Sequence, residues 1–179
     1  MYSYKSKDSF QDKLPIIGKI LLRIFVSFIL AILLSLIFKK ILFFTYKIPD
    51  SSMSPAMSKD EKIWFTYLKG SINYNDIVLA YVNNSNQVFL GRVVGKSGDN
   101  IKIVKKKLYR NGKEIKQLNE NFNDKRSPFP SILSNRDYFS EIKLNSNQFF
   151  ILCDNRDNCM DSREYGAISI EDIVARNLF

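Results

Sequence analysis

The chain has 179 residues, 45% of them apolar, with 27 basic and 18 acidic side chains, two cysteines and no histidine. This length suits one domain, and the lack of histidine excludes a Ser-His-Asp triad and histidine-ligated metal sites. The net charge of +9 is uneven: residues up to Lys47 carry 8 basic and 2 acidic side chains and the remainder 19 and 16, which fits anionic lipid headgroups and speaks against nucleic acid as a partner.

The first element is apolar. Ile24 to Phe38 reads IFVSFILAILLSLIF without a charge, and ILFF follows Lys39 and Lys40. A transmembrane helix needs about 20 such residues, and the stems of Arg23, Lys39 and Lys40 can snorkel from its ends. The expected span is 20–42. A cleaved signal peptide fits poorly, because Tyr46, Lys47 and Ile48 follow where small residues should mark a cleavage site. Five basic residues precede the span (Lys5, Lys7, Lys13, Lys19, Arg23) and three follow it (Lys39, Lys40, Lys47). That asymmetry places residues 1–19 in the cytoplasm and residues 43–179 outside the cell membrane, as a single-pass protein.

Beyond Lys47 come short segments of strand character: 63–68, 76–82, 87–95, 100–109 and 148–153. Turn signals separate them, among them NNSN, KSGDN and RNGKE. Asn111-Gly112 reads as a two-residue hairpin turn, since both residues tolerate positive φ. The expected fold is mainly β. A polar stretch at about 105–145 reads as a smaller inserted lobe without a hydrophobic core of its own, and the KKK run at 105–107 as a solvated face.

Four blocks carry chemistry. IPDSSMSPAM (48–57) directly follows the span; NDIVLAY (75–81), GRVVGKSGD (91–99) and CDNRDNCMDSREYG (153–166) come after it. In order and type they resemble the type I signal peptidases, membrane-anchored Ser-Lys proteases whose blocks run like IPSGSMxPTL, GDIVV, KRVIGLPGD and GDNRDNSxDSRxxG. The resemblance implies an antiparallel β-sheet domain of signal-peptidase type behind one N-terminal transmembrane helix. It also implies Ser52 as the nucleophile position, with Ser51 and Met53 beside it in the binding groove. Asp76, Arg92, Asp161 and Arg163 fall where relatives have supporting residues. No cofactor or metal is implied.

The departures from the family pattern bear on function. Gly91 stands at the position of the general-base lysine, and glycine has no side chain to take a proton from Ser52. Lys96 is five residues further along, about 17 Å on an extended strand and on the opposite face. Asp50 replaces a serine that in relatives serves the oxyanion. Three readings of it stand: a groove carboxylate repelling developing negative charge, a weak replacement base, or a local turn residue beside Pro49. Cys159 replaces a serine that contacts the missing lysine, and Cys153 replaces a glycine. A disulfide across DNRDN requires Cα atoms within about 7 Å; two free thiols are the alternative.

General-base catalysis typically contributes ~10²- to 10⁴-fold and one oxyanion donor ~10²- to 10³-fold. Losing both leaves no useful peptidase. The resemblance therefore implies a pseudoenzyme that binds extended segments of exported proteins by strand edges and small pockets. It is similar to Gram-positive accessory factors of pilus assembly, whose partners are pilin subunits and the sortase-dependent machinery. The alternative is an active signal peptidase using Ser52 and a non-standard base.

Overall fold

The computed structural model describes residues 10–82, 87–126 and 128–178. Lys5, Lys7 and the NNSN turn signal at 83–86 lie outside the described residues. The chain divides into two units, one ending at Leu42 and one beginning at Phe43.

The first unit is helix α1, Phe10–Leu42. Within its part from Pro15 to Leu42, an 18-residue stretch has a mean hydropathy of 2.8 and none of its residues is buried in protein. Twenty-eight residues at about 1.5 Å each span about 42 Å, more than the ~30 Å hydrocarbon core of a bilayer. The helix is therefore long and apolar enough to cross a membrane. It starts ahead of the expected span because the mixed segment from Phe10 to Lys19 continues the same helix.

The second unit is built of antiparallel strands. β1 (Phe43–Lys47), β2 (Lys62–Thr66), β3 (Ile77–Tyr81), β4 (Val88–Gly95), β9 (Gln148–Leu152), β10 (Ile168–Ser169) and β11 (Ile173–Asn177) form a sheet of order β1-β2-β11-β3-β4-β9-β10. β5 (Asn100–Val104), β6 (Lys107–Arg110), β7 (Lys113–Ile115) and β8 (Phe139–Lys143) form a smaller one of order β7-β6-β5-β8. A single helical turn, α2 (Ser162–Tyr165), lies within the last of the four blocks.

Side chains alternate across the large sheet. Ile77, Leu79 and Leu90 join Ile48, Met53, Phe65 and Cys153 in one buried cluster. Val78, Ala80 and Val93 turn the other way, toward Phe149, Ile151, Ile168 and Ile173. Strand β3 is thus buried on both faces, which is why IVLA reads as an unbroken apolar run. A fully buried aliphatic side chain contributes about 1.5–3 kcal/mol, so these two faces supply much of the driving force.

Three expectations need correction. The segment 100–109 is two strands: β5 and β6 pair antiparallel, with Val104 opposite Lys107. Lys105 and Lys106 make the turn between them at φ of 52° and 69°. No glycine or asparagine marks that turn, so the strand pattern runs straight through it. The KKK run is also not a uniformly solvated face, because Lys106 donates to the Asp124 carbonyl and its side chain is only 13% exposed. Finally, the inserted region is not polar throughout: its Leu108 and Leu144, together with Ile101 and Ile103 of β5, are buried against Val94, Phe150 and Leu152 of the large sheet. The Asn111-Gly112 turn joins β6 to β7 with both residues at positive φ.

Candidate functional site

Strand β1 leads into Ile48, whose N–H donates to the Glu61 carbonyl and whose own carbonyl accepts from Asp60. That pairing anchors the chain just before Pro49. The next residues coil tightly. Asp50 Oδ1 accepts a hydrogen bond from the Ser52 N–H at 2.8 Å, an aspartate turn of the kind that this side chain favours. The Ser51 carbonyl accepts from the Ser54 N–H, and the Met53 carbonyl from Met57.

The loop after β9 clamps this coil from the other side. The Asn155 N–H donates to the Ser52 carbonyl at 2.8 Å, and Asn155 Nδ2 donates to the Ser51 carbonyl. Asn158 Nδ2 donates to Ser51 Oγ at 3.0 Å. Ser51 thus supports the rim. Met53 does not belong to the groove: it is fully buried among Ile48, Phe65, Leu79 and Leu90, since its side chain supplies the apolar anchor that holds the coil on the sheet.

Between these segments lies a cleft of about 510 Å³. Tyr46, Pro49, Asp50 and Ser52 contribute from the first block, Val88, Phe89 and Leu90 from β4, and Asp157, Asn158, Cys159 and Met160 from the loop. Burial holds the Tyr46 phenol above its usual pKa, and the Asp50 carboxylate adds to that. Asp50 therefore both shapes the turn and faces the cleft.

Gly91 lies in β4 opposite Val78. A Cβ added there would come within 2.6 Å of Ile151 Cγ2 and 3.2 Å of the Leu152 carbonyl oxygen. Ile151 is fully buried and occupies the space into which a side chain at 91 would start. Among the described residues no basic side chain lines the cleft, and none donates a hydrogen bond to Ser52 Oγ. Lys96 lies elsewhere, with its ammonium over the Tyr74 ring at 4.5 Å from the centroid.

Cys153 and Cys159 are joined in a disulfide, with Cα atoms 6.2 Å apart. Of the two alternatives left open by the sequence, the structure has the bonded one. The loop that it closes contains both asparagines that hold Ser51.

The supporting residues form two braces. Arg92 makes a two-pronged pair with Asp154 at 2.8 and 2.6 Å and also donates to the Asn75 carbonyl. This ties β4 to the start of the clamping loop. Asp161 accepts from the Cys153 N–H and pairs with Arg163 through both oxygens. Arg163 goes on to donate to the Arg136 and Arg156 carbonyls. Asp76 sits away from the cleft, accepting from the Asn73 N–H and lying 3.5 Å from Arg176. Sequence reasoning missed Asn155 and Asn158, although both stand in the block quoted for its DNRDN signature. Their work depends on which residues the fold brings opposite them.

Comparison with known proteins gives one consistent set of likenesses. The family described as signal peptidase, peptidase S26, matches residues 21–179. Signal peptidase I of Bacillus amyloliquefaciens is 30% identical over 160 residues, covering 86% of this chain and 81% of the relative. Inactive signal peptidase IA of Staphylococcus aureus is 26% identical over 151 residues, covering 83% and 84%. A crystal structure of a signal peptidase I from Enterococcus faecalis V583 superposes with a TM-score of 0.43 at 17% identity, over 58% of this chain and 94% of that one.

Proposed function

The chain belongs to the signal peptidase family, peptidase S26, and on that premise we propose that it binds extended peptide segments of exported proteins without cutting them. The observation that carries this reading is the pairing of Gly91 with Ile151. The residue at the position of the family's lysine has no side chain, and a buried isoleucine fills the space beside it. A serine hydroxyl is a weak nucleophile without a base, and among the described residues Ser52 has no amine beside it.

The shape of the cleft supports this reading. The cleft offers apolar side chains from β4 and a rigid opposite rim held by Asn155 and Asn158. An extended segment laid in such a groove gains main-chain bonds and side-chain pockets without any chemistry. That a relative bears the name inactive signal peptidase IA supports a non-proteolytic role in this family. Helix α1 serves as a single-pass anchor with residues 1–19 in the cytoplasm and residues 43–179 outside, the orientation favoured by the five basic residues ahead of the span. The resemblance to pilus-assembly accessory factors makes pilin subunits handled by sortase-dependent machinery the partners to test first, with this protein as their chaperone at the membrane.

The test uses the full chain in phospholipid nanodiscs with a signal-peptide-bearing preprotein and a fluorescent peptide taken from it. The expected result is saturable binding with no cleavage, unchanged in Ser52→Ala. Cleavage that Ser52→Ala abolishes would establish the active-peptidase alternative instead.

A further inference from the structure

Resting on the peptide-binding reading of the cleft, we propose that it selects a segment carrying a lysine side chain, with Asp50 as the counter-charge. Two carboxylates face the cleft, Asp50 and Asp157, and their surroundings differ. Asp157 is compensated by the inserted region: one oxygen accepts from the Asp124 N–H, and the other lies 3.6 Å from Arg136 and 3.7 Å from Lys106. Asp50 has no ion-pair partner among the described residues. Its Oδ1 accepts from Ser52 N–H, and Oδ2 accepts from no described donor.

Among the described residues the cleft thus holds one uncompensated negative charge and no basic lining side chain. An anionic or purely apolar segment would leave that carboxylate partly desolvated without a partner, which costs free energy. A lysine suits the rest of the lining as well. Its four-carbon stem can lie on Leu90 and Met160, and its ammonium can donate to Asp50 Oδ2. In a cleaving relative's groove the lysine belongs to the enzyme; here the complementary arrangement calls for one supplied by the bound segment.

The experiment uses the full chain in zwitterionic phosphatidylcholine nanodiscs, with empty discs as the blank. Three labelled nonapeptides of alternating alanine and valine differ only at the centre: lysine, acetyl-lysine or glutamate. The lysine peptide is expected to bind about fivefold tighter than its acetyl-lysine twin, which corresponds to an ion pair of about 1 kcal/mol. Glutamate should bind weakest, and the lysine advantage should shrink as salt rises. In Asp50→Asn, which keeps an oxygen for the Ser52 N–H, the ratio of lysine to acetyl-lysine affinity should fall to about one. Equal binding of lysine and acetyl-lysine peptides overturns the lysine preference and leaves the groove reading standing. An advantage that survives Asp50→Asn overturns the role of Asp50. Failure of all three peptides to bind overturns the peptide-binding reading and this inference with it.

Discussion

The Cγ2 methyl of Ile151 stands 2.6 Å from the point where a Cβ on residue 91 would lie. Two effects oppose each other when that Cβ is added. Replacing a strand glycine by alanine recovers about 0.5–1 kcal/mol of backbone entropy, whereas overpacking a tight core costs about 1–3 kcal/mol. With the contact this short, overpacking wins. Gly91→Ala should lower stability, and adding Ile151→Leu, which removes the branch at Cβ, should restore most of the loss. A denaturant double-mutant cycle measures the coupling; a neutral Gly91→Ala would refute the steric account. It follows that Gly91→Lys alone should not produce a peptidase.

Asp161 and Arg163 are both buried and share two hydrogen bonds between their side chains, with a third from the Arg163 N–H to Asp161 Oδ1. Truncating one member leaves the other charge without a partner in the interior. Asp161→Ala should therefore cost about 3–5 kcal/mol. The Lys47–Asp60 pair is as short but 60% exposed on both sides, and Lys47→Ala should cost less than about 1 kcal/mol. Urea unfolding of the two variants should separate them clearly; similar losses would contradict the assignment of Asp161 as a brace.

The disulfide closes a loop between positions six residues apart. On the chain-entropy account a ring this small contributes about 2 kcal/mol. Replacing both cysteines by alanine should lower stability by that order and also loosen Asn155 and Asn158 from Ser51. Peptide affinity should then fall more than a stability change alone would cause. Calorimetry and fluorescence binding on the same preparation test both halves, and unchanged affinity would count against a role for the loop in shaping the cleft.

Asp99 joins the region between the sheets. Burial by itself raises its carboxyl pKa, but bonds from the Lys96 N–H, Asn111 and Tyr74, with Arg110 nearby, bring it net below the usual 3.8. Because the folded carboxyl is the stronger acid, its contribution stands in full above the unfolded value and fades as pH falls through the folded one. Asp99→Asn should therefore lower Tm at pH 7, and the gap to wild type should narrow at pH 3. A gap that stays constant across this range would show that charge is not what Asp99 supplies.

The sequence by itself determined the long apolar helix, the β character and the identity of the changed positions. An uninterrupted apolar run and period-two alternation are both local information. Ser52, Gly91 and Asp50 are legible because each stands in a block whose neighbours fix the register. The turn at Lys105-Lys106 was not legible, since long basic side chains seldom mark one, and strand pairing rather than residue type imposed it. β1, β8, β10 and β11 were likewise missed: their short, mixed segments become strands only by hydrogen bonding to partner strands elsewhere in the chain.

Tertiary structure alone decided that Met53 is an anchor and not part of the groove, and that Ile151 fills the space beside Gly91. It also decided that Asp157 is neutralised by Arg136 and Lys106 while Asp50 has no cation beside it among the described residues. Each of these depends on which side chains from distant segments share one small volume. Close packing and Coulomb forces act through space, and a linear order of residues does not contain those distances.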